Sequence, residues 1–225
     1  MKHILLVFAL VLSTQLVAQS DKITQEIGAF AELKVFDGLS ITLIPSDVNK
    51  VVITGDDAKK VSVINKDGNL KIRMDIDKIF SGHRTFVDLY YKQEINVLDV
   101  NEDARIATKA PIVQKVLEIK AQEGGECEIG ADLEQLIIKA VTGGEVTVSG
   151  TATNQDININ TGGRFLGKEL ATQITTVVVN AGGLAEINST DYVKVTVKAG
   201  GNVKVYGNPD KMDEKTLFGG KITRM

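Results

Sequence analysis

Ala140-Val141-Thr142-Gly143-Gly144-Glu145-Val146-Thr147-Val148-Ser149-Gly150 is the stretch on which the reading of this chain turns. Ile138 and Ala140 before its glycine doublet, and Val146 and Val148 after it, alternate with Lys139, Glu145 and Thr147. That is the period of two expected of strands with one buried face. Working outward, the doublet recurs at Gly124-Gly125, Gly162-Gly163, Gly182-Gly183, Gly200-Gly201 and Gly219-Gly220. With Gly143-Gly144 in its place, successive first glycines stand 19, 19, 20, 18 and 19 residues apart. A step this constant means one short unit stacked on copies of itself, and it decides the architecture ahead of local propensity.

Aligned on the doublet, the units share aliphatic positions. Three and five residues before the first glycine stand Ala121 and Ile119, Ala140 and Ile138, Ile159 and Ile157, Val179 and Val177, Val197 and Val195. Two past the second glycine stand Cys127, Val146, Phe165, Ala185, Val203 and Ile222, and four past it Ile129, Val148, Gly167, Ile187 and Val205. Each unit therefore reads as strand, Gly-Gly corner, strand, and a turn carrying Gly130, Ser149-Gly150, Asn188 or Gly207. Glycine suits the corner because a tight bend needs positive φ and a missing side chain lets coils approach. In a meander, neighbouring strands run antiparallel and like positions do not superpose at a single step. The pattern predicts an all-β, right-handed parallel β-helix of about 19 residues per coil, with coils about 4.8 Å apart.

Residues 20–105 are strand-rich but less regular, and residues 106–225 carry the regular coils. Asp67-Gly68 between two alternating runs signals a hairpin, so antiparallel pairs are expected among the early coils, capping one end of the stack. At the other end no helix or loop follows the last doublet, which leaves an open edge suited to self-association. The start of the chain, Lys2-His3 followed by the apolar run Ile4 to Leu12 and small Ala18, reads as a signal peptide over residues 1–19, cleaved after Ala18 or Gln19. Its apolar run is too short to span a bilayer. Gln19 and Ser20 stand where a lipid-anchored cysteine would be. The chain is thus expected to be exported to the periplasm, cell surface or medium, with no transmembrane segment once mature. Its 26 basic and 29 acidic side chains are mixed along the chain, so nucleic acid is not an expected partner. A single cysteine, Cys127, excludes an internal disulfide.

Phe30 to Leu43, with Gly38-Leu39-Ser40 at its centre, the dyad segment Asp67 to Ile72, the run Val87-Asp88-Leu89-Tyr90-Tyr91 and the later Gly-Gly coils together resemble the head GIN domain family of auto-transporter adhesins common in Bacteroidetes. Gly38-Leu39-Ser40 stands where such domains often carry Gly-Ile-Asn. The resemblance spans nearly the whole mature chain and implies a secreted, β-helical surface protein of unestablished biochemical role.

Right-handed β-helices also carry polysaccharide lyases and hydrolases, whose chemistry needs paired carboxylates, or acids holding a cation, on one outward face. Asp156, Asn158, Asn160 and Asn180 face outward, but their expected ladder neighbours, Glu118, Lys139, Val141, Thr176 and Val178, make no carboxylate cluster. These four are the candidate ligand-binding residues. Asp56-Asp57 reads as turn chemistry, Asp75 and Asp77 as strand exposure, His83 as a solvated turn residue, and Cys127 as a small core residue. Calcium-binding nonapeptides need an Asp in a period of nine, and a phosphate cradle needs a following helix. No catalytic residue, metal or cofactor is therefore expected. The leading reading is a non-enzymatic envelope protein offering a face to a glycan or protein partner. A carbohydrate-active enzyme with its site in the irregular half, and a structural component self-associating through its uncovered final coil, are the alternatives.

Overall fold

Each glycine doublet sits at a corner of one continuous parallel ladder. The computed structural model describes residues 22–225, so the signal-peptide expectation for residues 1–19 lies outside the described residues. The strands are β1 (Ile23–Glu26), β2 (Glu32–Val35), β3 (Ser40–Pro45), β4 (Lys50–Gly55), β5 (Val61–Lys66), β6 (Asn69–Met74), β7 (Thr85–Tyr91), β8 (Val97–Val100), β9 (Arg105–Thr108) and β10 (Ile112–Ala121). They continue as β11 (Glu126–Ala140), β12 (Glu145–Ile159), β13 (Arg164–Asn180), β14 (Leu184–Lys198), β15 (Asn202–Tyr206), β16 (Lys211–Leu217) and β17 (Lys221–Arg224). The result is a β-solenoid of about seven turns with about 19 residues between equivalent positions.

The aliphatic columns are in register. Ile106 pairs with Cys127, Cys127 with Val146, Val146 with Phe165, Phe165 with Ala185, Ala185 with Val203 and Val203 with Ile222. The column before the corner runs Val100, Ala121, Ala140, Ile159, Val179, Val197. Nearly all of these side chains are buried. Each Val, Leu or Ile so enclosed contributes about 1.5–3 kcal/mol, and stacking coil on coil is what encloses it. Gly167 fills its inward position with no side chain because the Phe165 ring lies there, within 2.5 Å of where a Cβ would stand.

The two ends of each strand segment differ. At the doublet, Thr142 (φ 48°) and Gly143 (φ 75°) form a type I′ turn closed by the Gly144 N–H donating to Val141 O at 2.9 Å. At the far end the expected turn is instead a bend within an unbroken strand. β11 and β12 run 15 residues each through Gly130 and Ser149-Gly150, because ladder pairs such as Gly130 with Ser149 persist through the bend.

The irregular half begins with a coil out of sequence order. β2 lies between β6 and β8, pairing Leu33 with both Leu70 and Leu98, and β3 lies between β7 and β9, pairing Ile41 with both Val87 and Ile106. Phe36-Asp37-Gly38-Leu39 repeats the corner, with Asp37 and Gly38 at φ 63° and 75°. The expected hairpin is present: β5 and β6 pair antiparallel about Asp67-Gly68. β4 pairs antiparallel with β7, and β1 with β4, so the parallel stack ends in antiparallel strands.

At the opposite end the inward columns change character. In line with Val195 stands Glu214, and in line with Val205 stands Arg224. The Arg224 guanidinium donates to Glu214 Oε1 from Nη2 at 2.7 Å and from Nε at 3.3 Å. An ion pair thus joins β16 and β17 where the coils from β10 to β15 pack apolar side chains or glycine. No helix among the described residues is long and apolar enough to cross a membrane.

Candidate functional site

The strand segment before each corner presents one outward face, and alternation puts Asp156 and Asn158 on it. Asp156 lies across from Ile137 and Thr176, and Asn158 across from Lys139 and Val178. Glu118, expected beside Asp156, is one coil further away, paired with Ile137. The four candidates divide into two groups. Asp156 and Asn158 line a shallow depression of 250 Å³ with Thr176 and Val178. Asn160 and Asn180 stand at the first position of successive corners. The amides are engaged with one another: Asn180 Nδ2 donates to Asn160 Oδ1, and Asn160 Nδ2 to Asn158 Oδ1, each at 2.8 Å. Gln135 Nε2 donates to Asp156 Oδ2 at 2.8 Å. Beside them Glu118 bridges Lys139 at 2.8 Å and Lys120 at 3.5 Å. Burial alone would raise its carboxyl, but the two ammonium groups hold it below its ordinary value.

A larger feature lies on the face after the corner. Here the ladder slips: Thr147 pairs with Leu166, yet Gly150 pairs with Leu170, so β13 carries an extra residue. The slip continues between β13 and β14, where Leu166 pairs with Glu186 but Ala171 with Asn188. Alternation fails at this bulge, and consecutive Lys168 and Glu169 are both exposed. Beside them lies a groove of 610 Å³ whose lining includes Glu128, Thr147, Ser149, Leu166, Glu169 and Glu186. The Glu186 carboxylate is met by Lys204 Nζ at 2.9 Å, and the Lys168 ammonium lies 5.5 Å from the Tyr206 ring centre. None of these residues figured among the sequence candidates. Their signal was the step of 20 residues followed by one of 18, which marks where the ladder slips.

The acids of the irregular half are structural. Asp56 pairs with Arg84 at 3.0 Å, Asp57 with Lys78 at 3.1 Å and Asp77 with Lys60 at 2.8 Å. Asp37, wholly buried, accepts the Met74 N–H at 3.1 Å and the Phe80 N–H at 3.4 Å, with Arg73 Nε at 3.6 Å. It pins the segment 75–84 over the first corner, where the exposed His83 ring packs on Gly38 rather than standing free in solvent. Glu102, one coil on, turns its carboxyl toward Asp37, and its buried Oε2 meets no donor among the described residues. Burial first, then the facing Asp37 carboxyl, pushes Glu102 above the ordinary carboxylate range. A carboxyl raised in the fold contributes stability below its unfolded pKa of about 4.3 and loses it as pH rises through the folded value. At pH 7, above the unfolded value, this raised affinity for a proton is therefore a cost. Glu102→Gln, whose amide can donate to Asp37, should raise Tm at pH 7 by about 2–4 °C, the shift about 1 kcal/mol produces in a chain of this size. The gain should vanish when the same melts are recorded below pH 4, and a gain independent of pH would contradict the pairing. Burial pushes the Cys127 thiol up to about 12, consistent with a core side chain.

Fold and site together define a β-solenoid whose chemistry lies on its outer faces, closed at one end by antiparallel strands. The family described as "Putative auto-transporter adhesin, head GIN domain" matches residues 29–209, and the chain belongs to it. A solved structure of a putative adhesin from Bacteroides fragilis superposes with a TM-score of 0.82 at 17% identity, covering 91% of this chain and 97% of that one. A putative lipid binding protein from Parabacteroides distasonis gives 0.70 at 16% identity over 92% and 98%, and a putative adhesin from Parabacteroides merdae 0.63 at 17% over 91% and 95%. At these identities the likeness is one of fold. No curated protein matches the chain.

Proposed function

We propose that the chain is an exported, non-enzymatic adhesin-type protein of the cell envelope or surface, whose rigid outer faces engage a glycan or a protein. In this reading residues 1–19 direct export, residues 20–105 build the capped end, and residues 106–225 form the regular coils. Asp156, Asn158, Asn160 and Asn180 belong to one presented face. The observation that carries it is the division of labour in the coils: aliphatic columns fill the interior, while tied ladders of amides and ion pairs fix the outward side chains. Side chains held by their neighbours lose little freedom on binding, which favours recognition by a preformed surface. The filled interior argues against taking over the lipid-binding label of one relative, since an acyl chain would find no space inside the stack.

An enzyme needs carboxylates facing a substrate, and in the acid pair that the irregular half does assemble, Asp37 with Glu102, Asp37 is committed to the Met74 and Phe80 N–H groups. Binding of purified mature protein to an array of neutral, amino and acidic glycans, run beside a reducing-end release assay on the same glycans, tests the proposal. Retention without release is the expected outcome. Release of reducing ends would replace this reading with the enzymatic one, and silence on the array would leave envelope proteins as the partners.

A further inference from the structure

We propose that the 610 Å³ groove beside the β13 bulge is the binding site for a neutral or amino saccharide, an assignment that rests on the glycan form of the reading above. The groove exists because of a local departure from the repeat. Between β11 and β12 the ladder keeps a single register throughout, whereas β13 shifts register once against β12 and twice against β14. The extra residues lift Lys168 and Glu169 out of the face as a wall, and bulges that re-aim side chains recur beside functional sites. Opposite the wall, Gly130 and Ser149 are too small to fill the space.

The surfaces facing that space suit a sugar ring. Leu166 offers an aliphatic floor for a face of C–H groups, and the Thr147 and Ser149 hydroxyls, which donate or accept as required, flank it. Glu128 and Glu169 have no basic partner among the described residues, so their oxygens are free to accept sugar hydroxyls in charge-assisted hydrogen bonds. The other charges of the groove are engaged: Glu186 with Lys204, and Lys168 above Tyr206. With Glu186 balanced by Lys204, the Glu128 and Glu169 carboxylates outnumber the Lys168 ammonium, and the net negative charge disfavours a uronic acid and favours a neutral ring or one bearing an ammonium group. The volume falls in the range of small-ligand sites and exceeds that of the depression at Asp156 and Asn158.

The test compares three proteins on the same glycan array: the unsubstituted chain, Glu128→Ala with Glu169→Ala, and Asn158→Ala with Asn160→Ala. Both acids are exposed, so their removal leaves the core intact, and far-ultraviolet circular dichroism checks it. The expected result is retention of neutral or amino glycans, weakened at least tenfold by the paired Glu substitutions and unchanged by the paired Asn substitutions. Binding lost only with Asn158 and Asn160, or binding confined to uronic acids, overturns the groove assignment while leaving glycan recognition standing. Retention of no glycan at all overturns both.

Discussion

Gly144→Ala is expected to destabilise the solenoid by about 3 kcal/mol, while Gly143→Ala, one residue earlier, costs only about 1–2 kcal/mol. The two glycines serve different needs. Gly143 holds φ at 75°, the left-handed region that an L side chain enters at a penalty, but a Cβ there meets nothing within 4 Å. A Cβ on Gly144 would stand 2.2 Å from the Ala121 carbonyl oxygen and 2.3 Å from its carbon. That carbonyl belongs to the coil beneath and accepts the Val141 N–H at 2.9 Å, so it cannot withdraw without opening the ladder. Gly163 repeats the arrangement over Ala140, 2.3 Å from its carbonyl oxygen. Thermal unfolding followed by circular dichroism should show Tm lower by roughly 6–12 °C for Gly144→Ala and by one to two thirds of that for Gly143→Ala. Equal losses at the two positions would mean that dihedral preference alone, and not the approach of one coil to the next, explains the doublet.

The same doublets are why the coils could be read before any coordinates: a side chain is missing wherever one backbone passes close over another, and that constraint recurs once per coil. Period-two alternation then places Val146, Phe165 and Val203 in one column, as the ladder has them. Other features were hidden because their cause is not periodic. Nothing in Glu32 to Val35 indicates that β2 will lie between β6 and β8, since its two neighbours come from segments 37 and 65 residues further along the chain. The bend at Gly130 reads as a turn by composition, yet the ladder from the next coil holds it as strand. On the outer faces alternation says which way Asn158 points but not that its amide oxygen is taken by Asn160. The groove depends on how a surplus residue is absorbed, and only the uneven spacing around Gly182 hints at it.

Replacing Glu214 and Arg224 together by valine should turn a closed end into an adhesive one. In the coils from β10 to β15 these two inward positions are aliphatic or, at Gly167, filled by a neighbouring ring. Valine at both would remove the two charges from the inward positions of the last coil, where Thr216, in line with Val197, would stay polar. The unpaired N–H and C=O groups of β16 and β17 would then border a largely apolar, uncharged mouth, the combination that recruits another strand. In the native chain the Glu214–Arg224 pair lies across that mouth, with 37% and 65% of the two side chains exposed. So placed, it contributes at most about 1 kcal/mol to stability. Its effect is on association, because a second chain stacking here must bury both charges. Sedimentation velocity over a wide concentration range should show the native chain as a monomer throughout and the double valine variant shifting to dimers or larger species as concentration rises. The single substitution Glu214→Val should associate less than the double, since it leaves the Arg224 charge in the mouth. A native chain that itself assembles through this end, or a double variant that stays monomeric with its fold intact, would show that the ion pair is not what closes the stack.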